Sequence, residues 1–126
     1  MKIYNIHREG KLMTDPVKVI VMNVQEGEGG VSTGYELTPH KSLRVRNHSP
    51  DGFNFGYGGS GPAQLALAIL MDYLGTVIPH PALYQSFKFK FIAPIKDEGG
   101  VITGEQIQEF INEFTGTRYI HPGDDS

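Results

Sequence analysis

The chain contains no cysteine. It can therefore form neither a disulfide nor a thiolate metal site. That absence suits a reducing compartment, and the cytoplasm is the expected location. Net charge is also scarce, at -3, so no broad basic field is available to hold duplex DNA. Long apolar runs are missing too. The longest, residues 65–71, is far too short to span a membrane, and no membrane association is expected. The opening "KIYNIHR" alternates and lacks the apolar segment of a secretory signal. Asn47-His48-Ser49 fits a glycosylation sequon, which has meaning only in a secreted chain.

What is present reads as one domain. The 126 residues include 39% apolar residues, enough for a modest core. Residues 1–120 are expected to form a single domain and residues 121–126, "HPGDDS", a flexible tail. "KIYNIHR" alternates as a strand, with Tyr4 and Ile6 on one face. "VKVIVMNV" is apolar on both faces and reads as a central strand. The glycine-rich "QEGEGG" breaks it, and "VSTGYEL" follows as a hairpin partner. "KSLRVRN" and "FKFKFIAP" alternate as two further strands. The first sets Arg44 and Arg46 on one face; the second sets Phe87, Phe89 and Phe91 inward.

Two helices stand out. Pro62 suits a first helical turn, with Ser60 or Gly61 as cap, and Gly75 closes the segment. Its apolar residues run nearly all round, which predicts burial on more than one side and, in so small a domain, a homo-oligomer. "HPALYQSF" adds a short helical turn. Thr103 and Gln106 have capping-box spacing. Ile107, Phe110, Ile111 and Phe114 then make an amphipathic helix that Gly116 stops. The fold expected is α+β: a mostly antiparallel sheet of about five to six strands with two packed α-helices.

Catalytic signatures are incomplete. Gly58-Gly59-Ser60-Gly61-Pro62 lacks the last glycine of a nucleophile elbow, and the loop has no P-loop lysine. Gly56 to Gly61 fits G-x-G-x-x-G by letter, without the parallel β-α-β setting that gives the pattern meaning. The five histidines lack the spacing of adjacent metal ligands, so neither a metal nor a cofactor is expected. The expectation is a protein that is not an enzyme.

The unusual passage is residues 52–61, "GFNFGYGGSG", with five glycines and three aromatics just before a helix. Bare backbone at a helix N-terminus favours an anion. Arg44 and Arg46 upstream are able to clamp phosphate. Phe55 and Tyr57 offer stacking surfaces. The expected ligand site is Arg44, Arg46, Phe55, Tyr57, Gly58, Gly59, Ser60 and Gly61, for a small anionic, nucleotide-derived ligand. The opposing reading is structural: the glycines let the chain pass close to its neighbours, the aromatics cover the core, and the arginines are solvated.

"NHSPDGFNFGYGGSGPAQLALAIL", together with the later "YQSFKFKFIAPI", resembles an uncharacterised family of small proteins of phages, plasmids and other mobile elements. Phe55 stands where that family's pattern has tryptophan, which keeps an aromatic but loses an indole N–H donor. The family carries no known activity. A looser resemblance, in architecture, is to the Thoeris anti-defence proteins of phages. It implies sequestration of a cyclic nucleotide-type immune signal in the host cytoplasm, without cleavage. Two alternatives stand beside that reading. One is an interaction module that inhibits a host protein, with a sealed loop and an apolar patch elsewhere. The other is a hydrolase with Ser60 and His48 in hydrogen-bond contact.

Overall fold

The computed structural model describes residues 1–24, 32–75 and 77–116. The break expected at residues 25–30 and the tail expected at 121–126 lie outside the described residues. Three strands form where alternation predicts them: β1 (Lys2–Arg8), β2 (Val17–Val24) and β3 (Ser32–Glu36). A fourth, β4 (Gly100–Thr103), completes an antiparallel sheet of order β3-β2-β1-β4. Tyr4 and Ile6 of β1, Val19 and Val21 of β2 and Ile102 of β4 share the buried face. The register brings Tyr4 opposite both Val21 and Ile102, so these side chains form one layer.

Among the described residues there are four α-helices, not two: α1 (His40–Val45), α2 (Ser60–Leu74), α3 (Pro81–Phe87) and α4 (Gly104–Phe114). The count of five to six strands is corrected with them, because two expected strands are helical. "KSLRVRN" enters α1, with Pro39 at its N-cap. "FKFKF" continues α3 as a π-helical turn over Lys88–Ile92, closed by the Ala93 N–H donating to the Lys88 carbonyl at 2.9 Å. In a helix residues two apart point to nearly opposite sides. Phe87 and Phe91 therefore pack together and against Phe110, with centroids 4.9–5.8 Å apart, while Phe89 stays 61% exposed. Lys88, expected to point outward, is buried.

Helix α2 is the centre of the molecule. Residues 61–70 are all buried, among the sheet, the other helices and the preceding loop. A single chain thus covers the apolar circumference, and this helix does not itself require a second subunit. Gly75 closes it with φ +77°, donating its N–H to the Met71 carbonyl. Asp72, near its end, accepts from the Tyr4 hydroxyl at 2.7 Å, the Tyr35 hydroxyl at 2.6 Å and the Lys2 ammonium at 3.1 Å. That carboxylate ties β1 and β3 to the helix. Thr103 and Gln106 form the reciprocal capping box of α4. Among the described residues no helix is long and apolar enough to cross a membrane.

Candidate functional site

The loop before α2 is held from three sides. Gln64, fully buried on α2, is the main anchor. Its Oε1 accepts from the backbone N–H groups of His48 at 2.7 Å and Ser49 at 3.1 Å. Its Nε2 donates to Ser42 Oγ at 2.9 Å and the Arg46 carbonyl at 3.1 Å. One amide side chain thus fixes the whole stretch from α1 to Ser49. Arg8 is the second anchor. Its guanidinium donates to Asn54 Oδ1 at 2.7 Å and the Phe55 carbonyl at 3.2 Å, and lies 4.1 Å from the Phe55 ring centroid. The third is Lys88, whose ammonium donates to the Gly58 carbonyl at 3.0 Å.

These contacts explain the glycines. Gly56 has φ +90°, and its N–H donates to the Ile92 carbonyl. A β-carbon there would face both an unfavourable backbone and the Ile95 carbonyl at 3.3 Å. Gly58, Gly59 and Gly61 have no positive φ; they allow close approach. A β-carbon at Gly58 would lie 2.7 Å from Phe89 Cε1, at Gly59 2.5 Å from Tyr57 Cε2, and at Gly61 2.6 Å from Asn54 Cβ. The aromatic rings of Tyr57 and Phe89 therefore lie directly on the glycine backbone.

The residues singled out from sequence separate into different surroundings. Phe55 is fully buried beneath Arg8, so it presents no stacking surface. Phe53 is half-buried and Tyr57 is 40% exposed, so the aromatics do not share one open face. Arg44 and Arg46 do not share a strand face either. Arg44 is exposed on the last turn of α1, and Arg46 is its extended C-cap. Ser60 is exposed and Gly61 buried. No hydrogen bond among the described residues joins Ser60 to His48, whose Nε2 instead shares a 2.6 Å hydrogen bond with the Tyr84 hydroxyl.

The helix N-terminus itself is a poor anion seat. It borders a hollow of about 550 Å³ that Tyr57, Ser60 and Gly61 share with Asp15, Glu36 and Asp51. Three carboxylates and no basic side chain line it. Pro62 also removes one of the first-turn N–H donors.

Positive charge gathers instead around His48. Burial lowers the pKa of its imidazole, and the charges of Arg46 and Lys88 lower it further. Burial pushes the Tyr84 hydroxyl up, and Arg46 opposes that. Burial also lowers the Lys88 ammonium. Lys88 is only 6% exposed. Its contacts are the Gly58 carbonyl and the ring of Phe89, 4.0 Å away at the centroid. No carboxylate pairs with Lys88, Arg46 or His48 among the described residues. Sequence reasoning missed Lys88 and Phe89 because it placed "FKFKF" in a strand. The signal available was the continuation of the helical "PALYQSF" into it.

The fold and this cluster define a small α+β domain with a glycine-rich loop pinned between an arginine–histidine segment and a π-helical turn. Residues 21–113 match a family described as a family of unknown function, DUF6166, and the chain belongs to it. No curated protein and no solved structure matches the chain.

Proposed function

We propose that this chain is a non-enzymatic binding protein for a small anionic ligand, seated against Arg46, His48 and Lys88 beside Gly58. The observation that carries this reading is Lys88. The Lys88 side chain is buried, and its partly buried ammonium has a carbonyl and a ring but no carboxylate as partners among the described residues, so it lacks a counter-ion. An anion would supply that counter-ion and use the ammonium's remaining N–H groups. Arg46 adds a second cation, and the His48–Tyr84 pair adds polar atoms close by. This reading replaces Arg44 and Phe55 with Lys88 and His48, and keeps Arg46 and the Gly58 loop. Sequestration of an anionic signal molecule is its specific form, and requires that the ligand be held without being changed.

Calorimetric titration with inorganic phosphate, pyrophosphate, cyclic nucleotides and ADP-ribose derivatives tests the reading. At least one should bind, lose affinity in Lys88→Met and Arg46→Ala, and return unaltered after heat release. Turnover of the ligand would refute the non-enzymatic part. Failure of every anion would favour the interaction module, for which the exposed Val77 and Ile78, at 56% and 62%, supply an apolar surface.

A further inference from the structure

Two exposed aromatic side chains touch the glycine loop. Phe89 is 61% and Tyr57 40% exposed. Each ring lies against a glycine, Phe89 against Gly58 and Tyr57 against Gly59. Phe89 has a further support, because the buried Lys88 ammonium lies over its ring at 4.0 Å. The ring stays largely exposed beside that cation. Neighbouring aromatics in the same turn behave differently: Phe87 is fully buried and Phe91 packs against the core.

We infer that Phe89 is a stacking platform, and that the ligand is a nucleotide whose base lies on Phe89 while its phosphate meets Lys88 and Arg46. This inference rests on the anion site proposed above and names the ligand class for it. The chemistry is consistent across the contact. A base has a planar π-face that stacks on an aromatic ring whatever its identity. The ammonium beside the ring attracts the anionic phosphate. Lys88 follows Phe87 and precedes Phe89 on the π-helical turn, so one short segment presents both the charge and the ring. A ring-free phosphate would use only the first of them.

The test compares AMP and ADP with ribose 5-phosphate and pyrophosphate by calorimetry, on the full chain and on Phe89→Leu. Leucine keeps an apolar side chain at an exposed position, so the variant should fold. Nucleotides are expected to bind roughly ten-fold or more tighter than the ring-free phosphates, with that advantage lost in Phe89→Leu. Equal affinity for nucleotides and ring-free phosphates overturns the stacking inference and leaves the anion site standing. A nucleotide preference that survives Phe89→Leu also overturns it. Binding of none of the four would remove both.

Discussion

Replacing Gln64 by leucine should unfasten the segment that carries Arg46 and His48. The two side chains have similar volume, so cavity formation is not the main effect. The loss is of hydrogen bonds. The amides of His48 and Ser49 lose their acceptor, and the Arg46 carbonyl loses its donor. Ser42 Oγ still donates to the Pro39 carbonyl, so its cost is smaller. A buried polar group left unpaired costs about 1–3 kcal/mol. These groups are partly buried and regain some water, which places the total at about 2–4 kcal/mol. A domain of this size is stable by about 5–15 kcal/mol, so the loss is large but leaves the chain folded. The assay is urea unfolding at 25 °C followed by circular dichroism. Gln64→Glu keeps an acceptor but buries a carboxylate with one oxygen facing the Arg46 carbonyl, and should lose at least as much as Gln64→Leu. A loss below about 1 kcal/mol in Gln64→Leu would refute the idea that this side chain holds the segment in place.

Three further outcomes follow from the same geometry. Gly56→Ala should destabilise by about 1–2 kcal/mol through its positive φ, and by more than Gly58→Ala. The exposed Phe89 ring is free to give way at Gly58, and equal losses in urea titrations of the two variants would contradict the assignment. Lys88→Met should change stability by less than about 1 kcal/mol in either direction, since a buried unpaired charge is replaced by an apolar chain, while abolishing anion binding. A loss of several kcal/mol would make Lys88 a structural clamp on Gly58. His48 titrates at lower pH in the folded chain than in the unfolded one. Between those two pKa values the unfolded chain binds more protons, so stability is fully present above the ordinary histidine value and falls as pH drops through the window. His48→Gln should flatten that slope in unfolding measured at several pH values.

Much of the fold was legible because local pattern and tertiary packing agree. Alternation in "KIYNIHR" and "VKVIVMNV" matches the face that packs on α2. The capping box at Thr103 and the closing Gly75 were readable from spacing alone. Two segments misled for one reason. Over four or five residues, alternation of Leu, Arg and Val, or of Phe and Lys, looks the same whether a strand or a short helix carries it. In "FKFKF" the π-helical turn buries Phe87 and Lys88 and exposes Phe89, an order that period-two reasoning cannot produce. Strand β4 escaped notice because it has only four residues and begins at a glycine. The glycine loop itself was visible. Its contacts with Lys88 and Phe89 were not, because they span about thirty residues of chain. The carboxylates bordering the α2 N-terminus come from separate segments as well, so the unsuitability of that end for an anion was hidden too.

The central claim is that an anion sits against Arg46 and Lys88 beside His48. It is tested most directly by following the His48 ring signals in an NMR pH titration, with and without saturating pyrophosphate. Burial and the two neighbouring cations lower the pKa of this imidazole. A bound polyanion offsets the cations and adds negative charge, so the pKa should rise on saturation. In Lys88→Met the ligand-free value should already be higher, and pyrophosphate should no longer move it. An identical His48 titration curve in the presence and absence of millimolar pyrophosphate and nucleotides would contradict the account.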